Sequence, residues 1–395
     1  MKTKILGIAL FILTLGAVVY YPQLSATTGT MQPAINQHIT ANKPIVDVVF
    51  VLDTTGSMGG LIQTAKEKIW SIATTMASAQ PTPEIRIGLV GFRDRGDAYV
   101  TRRVDLSGDL DSVYAALMDF KADGGGDTPE SVNQALYEAV HHMSWSRADQ
   151  AYQVIFLVGD APPHMDYNEV QYPQIVANAL ERGIVINTIQ CGEIAETATP
   201  WTQIANLGHG SFFQVEQAGG AIAFDTPYDE RIAELSARLD DTRLYYGSRE
   251  EKARMKEKVA ATEKLHSSAS VASRARRGVF NAGEGGRTNM LGDNELVDAI
   301  ASGKLQLDEI DEDALPDAIR EMEPEEQKEH VSQLAVERNE LQQQIRELSE
   351  DRDGFIAKKV EEAGGMEDSL DRQLYATVKE QAADAGLEYE DVEKY

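Results

Sequence analysis

Short apolar runs alternate with segments of helical periodicity between residues 44 and 246. The first run, Ile45–Leu52, is rich in β-branched residues and nearly unbroken, as expected for a strand buried on both faces of a parallel sheet. Leu61, Ile69 and Met76 then recur at helical spacing. This alternation predicts a doubly wound α/β domain with a mostly parallel, six-stranded sheet and helices on both faces.

The same patterns locate the other elements of this domain. The further strands are predicted at Ile85–Phe92, Tyr99–Val104, Val154–Val158, Ile184–Gln190 and Ser211–Val215. The later helices are predicted at Leu110–Phe120, Pro129–His142, Val170–Arg182, Thr199–Leu207 and Tyr228–Leu244. A short connection makes the second and third strands an antiparallel hairpin, and right-handed crossovers favour the strand order 3-2-1-4-5-6.

The N-terminus has the pattern of an export signal. Two lysines precede an apolar run over residues 5–21, which suits either a cleaved signal peptide or a retained membrane anchor within residues 1–26. Residues 27–43 are polar and predict a linker. Both alternatives place the rest of the chain outside the cytoplasm, in the periplasm or on the cell surface.

The C-terminal part has a different character. Residues 247–303 predict a helical extension and a flexible hinge, and residues 304–395 an acidic helical region. Within 325–360 a 3-4 spacing of apolar residues, with Arg338 and Arg352 in the seam, predicts a coiled coil for a homo-oligomer or a second partner. The apolar seam residues are Val331, Leu334, Leu341, Ile345, Leu348 and Phe355.

Composition excludes several classes of protein. The chain has 395 residues and a formal net charge of −27, which repels phosphate backbones and argues against a nucleic-acid partner. Its one cysteine, Cys191, excludes an internal disulfide framework and a thiolate-rich zinc site. Because Cys191 ends an apolar strand, we expect an inert buried thiol.

Acidic and hydroxyl side chains recur where predicted strands end. The first strand is followed by Asp53, Thr55 and Ser57, the fourth by Asp160, and the glycine-rich loop between them ends in Thr128. In doubly wound sheets, ligands bind outside the carboxyl ends of the strands, at the switch point. These five side chains are therefore expected to meet there.

Two carboxylates and three hydroxyls form a set of hard oxygen donors. Such a set suits Mg²⁺ first, with Mn²⁺ or Ca²⁺ after it. Since three donors are neutral, the ion would keep an open position and an attraction for an anionic oxygen. A carboxylate of a partner protein is the natural ligand for that position.

Each of these residues also has an ordinary structural explanation. Thr128 and Ser57 are typical of helix N-termini, and Asp53 and Asp160 can accept hydrogen bonds from backbone amides in turns. These explanations treat each residue separately, whereas one cation accounts for all three loops together. The tripeptide Arg95-Gly96-Asp97, which some adhesion receptors recognise, is short enough to arise by chance.

The five residues carry a family resemblance. Asp53-x-Thr55-x-Ser57, Thr128 and Asp160 resemble the metal-ion-dependent adhesion site (MIDAS) of the von Willebrand factor type A (VWA) domain family, with a threonine in place of the usual first serine. The resemblance covers about half the chain. It implies that the hydroxyls bind the metal, that the carboxylates bind it directly or through water, and that the domain binds proteins without turnover.

An extracytoplasmic, metal-dependent protein-binding module is therefore the leading hypothesis, and we expect no enzymatic activity. Two alternatives stay open. One is a phosphotransferase or phosphatase that forms a phosphoaspartate on Asp53, although the lysine of the corresponding P-type ATPase motif is missing. The other is a regulatory subunit of an ATP-driven motor, which would require the domain to lie in the cytosol.

Overall fold

The computed structural model describes residues 43–126, 128–148, 151–216, 225–362 and 370–389. Residues 43–395 cluster as one compact unit. The predicted export segment 1–26, with its apolar run 5–21, and all but the last residue of the linker lie outside the described residues. Among the helices that are described, none is both long and apolar enough to cross a membrane.

A six-stranded sheet forms the centre of the domain, with the strand order β3-β2-β1-β4-β5-β6. All neighbouring pairs are parallel except the hairpin of β2 and β3. This confirms the predicted fold class and strand order. The strands are β1 Ile45–Asp53, β2 Glu84–Phe92, β3 Thr101–Ser107, β4 Ala151–Gly159, β5 Ile184–Cys191 and β6 His209–Val215.

The side chains of β1 point alternately into two hydrophobic cores, one on each face of the sheet. Val46, Val48 and Phe50 pack into the cluster on one face of the sheet, and Val49 and Val51 into the cluster on the other. Successive side chains of a strand point to opposite faces, so a strand covered on both faces is apolar throughout. The core therefore lies on both sides of β1. Because β1 is an inner strand of the sheet, its carboxyl end lies near the middle of that edge.

Helices cover both faces of the sheet and continue into the C-terminal part. Their bounds are α1 Gly59–Ala77, α2 Leu110–Leu117, α3 Val132–His141, α4 Tyr172–Glu181, α5 Ala195–Leu207, α6 Asp229–Asp241, α7 Arg249–Ser268, α8 Val271–Ala282, α9 Arg287–Leu291, α10 Leu296–Ala301, α11 Pro324–Glu362 and α12 Leu370–Ala382.

The start of α3 differs from the prediction. This helix was expected from Pro129, but it begins at Val132 with Ser131 at its N-cap. The preceding residues are drawn into a loop instead, because Glu130 forms an isolated parallel bridge with Pro163. The stretch around Thr128 thus belongs to the strand-end loops and not to the helix.

The segment expected to be a flexible hinge is folded against the domain. Residues 283–292 contain α9, and its Met290 is buried with residues of α6, α8 and α11. Arg277 of α8 is fully buried and binds Asp111 of α2 and Asp240 of α6, with nitrogen–oxygen distances of 2.6–3.1 Å. The polar composition of this region therefore reflects buried ion pairs.

The predicted coiled-coil seam is also covered by the same chain. In α11, Leu341 and Ile345 are buried against α6, α8 and α9. Arg338 binds both carboxylate oxygens of Glu295 at 2.8 and 2.9 Å, and Arg352 binds Asp229 at 2.8 Å. Leu341, Ile345 and both seam arginines are therefore engaged within the chain, and pairing with another chain through residues 325–360 stays a prediction.

Candidate metal centre

The ends of β1 and β4 bring Asp53 and Asp160 to one edge of the sheet. Leu52 pairs with Val158 in the register of the two strands, so Asp53 and Asp160 follow within two residues of this pair. Gly159 is pressed against Asp53, because a Cβ atom there would stand 2.8 Å from the Asp53 Cβ. Only glycine allows this approach, which makes the two acidic residues neighbours.

The first loop holds Asp53, Thr55 and Ser57 in direct contact. Asp53 Oδ1 accepts hydrogen bonds from the Thr55 amide at 2.9 Å and the Thr55 hydroxyl at 2.6 Å. The hydroxyls of Thr55 and Ser57 lie 3.3 Å apart. No side chain caps the short 3-10 turn Gly56–Met58 or α1. The helix-cap explanation of Ser57 is therefore wrong.

The glycine-rich loop is fastened beside the first loop. Gly125 has a φ of +72°, and a Cβ atom there would stand 2.7 Å from the Thr55 Cβ. Gly56 donates a backbone hydrogen bond to the Gly124 carbonyl at 3.1 Å. Thr128 follows this loop at an exposed position, and backbone hydrogen bonds of Glu130 with Pro162 and His164 hold the chain just after it beside the loop that follows Asp160. Since α3 starts later, Thr128 is not its N-cap.

Glu130 and Asp94 were not foreseen as parts of this region. Glu130 is 3% exposed, and its amide donates to the Pro162 carbonyl at 3.0 Å. Asp94 is held by the hydroxyls of Ser131 and Tyr167, each at 2.7 Å. The available signal was their position, since Asp94 lies two residues after the second strand and Glu130 lies two residues after Thr128.

Burial opposes ionisation of two carboxyl groups at this edge. Burial, with a smaller contribution from the nearby Asp160 carboxylate, raises the pKa of Asp53 to about 7. Burial and then the negative charges of Asp53, Asp94, Asp97 and Asp160 raise the pKa of Glu130 to about 9. Both groups therefore hold their protons to a higher pH than an exposed carboxyl group does, because the surroundings disfavour the charged form.

Unpaired oxygens test whether the region fits a cation. Among the described residues, Asp53 Oδ2 and Glu130 Oε2 are buried and receive no hydrogen bond. A buried, unpaired ionised oxygen is costly, and a divalent cation with its waters would supply the missing partner. In the same part of the chain no three acidic, His or Cys side chains converge as a metal site, so the hydroxyl donors are needed. The residues present fit an oxygen-coordinated divalent ion.

The adhesion tripeptide is occupied by contacts within the chain. Arg95 forms an ion pair with Glu169 at 2.6 Å and stacks on the Tyr167 ring at 3.8 Å. Asp97 accepts hydrogen bonds from the amide of Gly125 at 3.1 and 3.3 Å. These residues support the glycine-rich loop, and the tripeptide is not presented as a free recognition motif.

His164 is buried in the same rim. Its ring stacks on Tyr167 with the centroids 3.8 Å apart. Its Nδ1 lies 2.8 Å from Asp166 and its Nε2 lies 3.4 Å from Asp94. Cys191 is buried as expected, and burial raises the pKa of its thiol.

Fold and site together define a doubly wound α/β domain with an acid–hydroxyl centre at the switch point of the sheet. Residues 47–226 match the von Willebrand factor A domain family. This segment is thus a VWA domain, and the resemblance to that family is confirmed for the domain.

Curated relatives match a limited part of the chain. A putative ariadne-like RING finger protein of Acanthamoeba polyphaga mimivirus is 28% identical over 130 residues, which are 32% of this chain and 12% of that protein. The mouse von Willebrand factor A domain-containing protein 7 is 38% identical over 99 residues, 25% of this chain and 10% of the relative. The matches thus span about a tenth of the length of these relatives.

Solved structures with a similar arrangement are more distant. Proximal thread matrix protein 1 of the mussel byssus, solved with a zinc-occupied MIDAS motif, is 16% identical with a TM-score of 0.34, over 44% of this chain and 42% of its own. The SpRpn10 VWA domain is 13% identical with a TM-score of 0.34, over 46% of this chain and all of its own.

Proposed function

We propose that this protein is a non-enzymatic binding module in which a divalent cation captures an acidic side chain of a partner protein. Asp53, Thr55, Ser57, Thr128 and Asp160 would hold the cation, with Mg²⁺ preferred and Mn²⁺ or Ca²⁺ as substitutes. The observation that carries this proposal is the buried Asp53 Oδ2 oxygen, which has no hydrogen-bond donor among the described residues.

The donor chemistry explains why the ligand would be acidic. The hydroxyls of Thr55 and Ser57 are neutral, and Thr128 is exposed at the rim. A divalent ion bound here would keep a coordination position that faces solvent. When bound, the ion would supply a local positive charge on a strongly acidic protein, and this charge attracts a carboxylate oxygen.

Burial of Asp53 disfavours the phosphoaspartate alternative. The side chain is 0% exposed, and Oδ1 is already engaged by Thr55. A carboxylate that attacks a phosphoryl group must reach it with an oxygen in line with the leaving group. The buried Oδ2 oxygen of Asp53 is instead suited to contact a small ion.

We further propose that the domain acts outside the cytoplasm, as the basic and apolar segment 1–21 indicates. A reporter fused after residue 395 would test this placement, because a protease added to intact cells or spheroplasts should degrade it. Protection of the reporter under both conditions would contradict an extracytoplasmic location.

A retention experiment tests the binding function. The full chain is immobilised, exposed to envelope proteins in Mg²⁺, and eluted with chelator, beside the variants Asp160→Ala and Asp119→Ala. Asp119 is an exposed residue that forms an ion pair with Lys264, and it serves as the matched control. We expect chelator-eluted partners with the wild type and Asp119→Ala, and none with Asp160→Ala. Retention that persists in chelator would contradict the proposal.

A further inference from the structure

Glu130 is the buried acidic residue that the five-residue centre leaves unexplained. Its side chain is 3% exposed, and no described residue donates a hydrogen bond to its Oε2 oxygen. A buried carboxylate is normally paired, and removing it from water without a partner costs several kcal/mol (~2–7 for a neutral polar group, more for a charge). In the metal-free protein a proton neutralises this group, and a cation with its waters would supply the partner that the described protein atoms do not.

The carboxyl group of Glu130 lies beside the glycine-rich loop and Thr55. Its Oε1 lies 3.1 Å from the place where a Cβ atom on Gly125 would stand, and the Thr55 Cβ lies 2.7 Å from that place. Because Gly125 has no side chain, the side chains of Glu130 and Thr55 can both approach its backbone closely. The carboxyl group thus faces the hydroxyl donors of the first loop.

The backbone of Glu130 also joins two of the loops. Its amide donates to the Pro162 carbonyl at 3.0 Å, and its carbonyl accepts from the His164 amide at 3.1 Å. These bonds tie the loop after Thr128 to the loop after Asp160. A carboxylate held between both loops is placed to sense the ion that they share.

The structure argues against direct coordination by three carboxylates. No such acidic group converges as a metal site among the residues that are described. One water molecule between the ion and Glu130 would give the free oxygen a hydrogen bond. Outer-sphere acceptors of this kind hold metal-bound groups in orientation.

We propose that Glu130 is a positioning residue of the cation centre, whose free carboxylate oxygen accepts a hydrogen bond from a water bound to the ion. This inference rests on the proposed function. Once a cation displaces its proton, the Glu130 carboxylate would add negative charge beside the ion and help to hold it before any partner arrives. The five residues and Glu130 would together bind the divalent cation without a partner protein, and Mn²⁺ is the probe for this binding.

The test is calorimetric titration of the full chain with Mn²⁺ and no partner present. Loss of an outer-sphere partner weakens metal binding about 10- to 100-fold, so Glu130→Gln should show this loss. Glu130→Asp keeps the charge and should recover part of it. Glu138→Gln alters a carboxylate that pairs with Arg103 and His142 and should bind Mn²⁺ like the wild type.

Thermal unfolding in chelator separates this role from a structural one. A structural Glu130 would lower the unfolding temperature of Glu130→Gln and leave its Mn²⁺ affinity at the wild-type value, which would overturn the inference. If wild-type protein binds Mn²⁺ and Asp53→Ala does not, the cation centre is supported whatever Glu130→Gln shows.

Absence of Mn²⁺ binding by the wild type would overturn both proposals. If Glu130→Gln fails to fold, the affinity of Glu130→Asp decides, and a wild-type value would overturn the inference.

Discussion

Asp53 illustrates how a residue can be unfavourable for the empty fold and useful for binding. Burial raises its pKa to about 7 from an ordinary value of 3.8. Above pH 7 the metal-free protein therefore carries a buried charge that weakens the folded state, and below pH 4 this cost is absent. A bound cation would reverse the sign of this contribution.

Asp53→Asn should therefore have opposite effects in chelator and in metal. At pH 8 without metal, removal of the buried charge is expected to raise the free energy of unfolding by up to a few kcal/mol (about 1.4 per pKa unit). The same variant should lose the stabilisation by Mg²⁺ that the wild type shows. Urea denaturation at pH 8 and pH 5 checks both effects, and an equal gain at both pH values would contradict this explanation.

Cation affinity should depend on pH in the same range. Because the metal-free Asp53 carboxyl has a pKa of about 7, a cation must displace a proton below that pH. The apparent affinity should fall about tenfold per pH unit for each proton released as the pH decreases from 7 to 5.5. Calorimetry in buffers of different ionisation enthalpy measures the protons released. A constant affinity without proton release would be inconsistent with a buried carboxylate ligand.

Residue type and position in the sequence were sufficient to predict the contact among Asp53, Thr55 and Ser57. They were not sufficient for Glu130 or Asp94. A lone acid after a strand is usually solvated, and its burial depends on how three separate loops close over it. That information appears only when the loops are placed in space.

At the level of elements, buried ion pairs join the later helices to the VWA domain. Arg277 is fully buried between Asp111 and Asp240. Burial opposes ionisation of Asp240, but the charges of Arg277 and Arg243 and hydrogen bonds from His266 and Arg277 outweigh it and lower the pKa to about 2. The arginine therefore fixes α8 against both α2 and α6.

Arg277→Met should destabilise the fold strongly, because it leaves two buried carboxylates without their cation. Breaking a buried pair from one side typically costs about 3–5 kcal/mol. Arg238→Met removes an ion pair with Glu337 from a side chain that is 53% exposed, and should cost less than about 1 kcal/mol. Chemical denaturation of both variants makes the comparison. Similar small effects would show that the Arg277 network contributes little.

Helix periodicity predicted the elements well but not their partners. The seam of α11 was visible as a 3-4 pattern, and the pattern alone does not distinguish a neighbouring chain from the chain itself. Arg338 carried the decisive information, since its guanidinium matches a buried carboxylate at Glu295 that is 43 residues away. A proline at Pro129 favours the first turn of a helix. In the structure Glu130 instead forms a backbone bridge with Pro163, and the helix begins only at Val132.

For the whole molecule, the helical C-terminal part completes the core of residues 43–395. Leu341 is 1% exposed within the cluster that α6, α8 and α9 form. Val336, on the same helix, is 56% exposed. Leu341 of the predicted seam is therefore buried within the chain, and Val336, which lies outside the seam, serves as an exposed control on the same helix.

Leu341→Glu should lower stability by several kcal/mol, since it buries a charge in an apolar cluster. Val336→Glu should change stability by less than about 0.5 kcal/mol. Light scattering on both variants would report the mass in solution. A Leu341→Glu protein that keeps its stability and loses mass would contradict intramolecular docking.

The most direct test of the cation centre is an anomalous difference map of Mn²⁺-loaded crystals of the protein. The account predicts one strong peak at the carboxyl edge of the sheet, within coordination distance of the Thr55 and Ser57 hydroxyls and between Asp53 and Asp160. A map with no peak at that edge, or with Mn²⁺ bound only elsewhere, would contradict it.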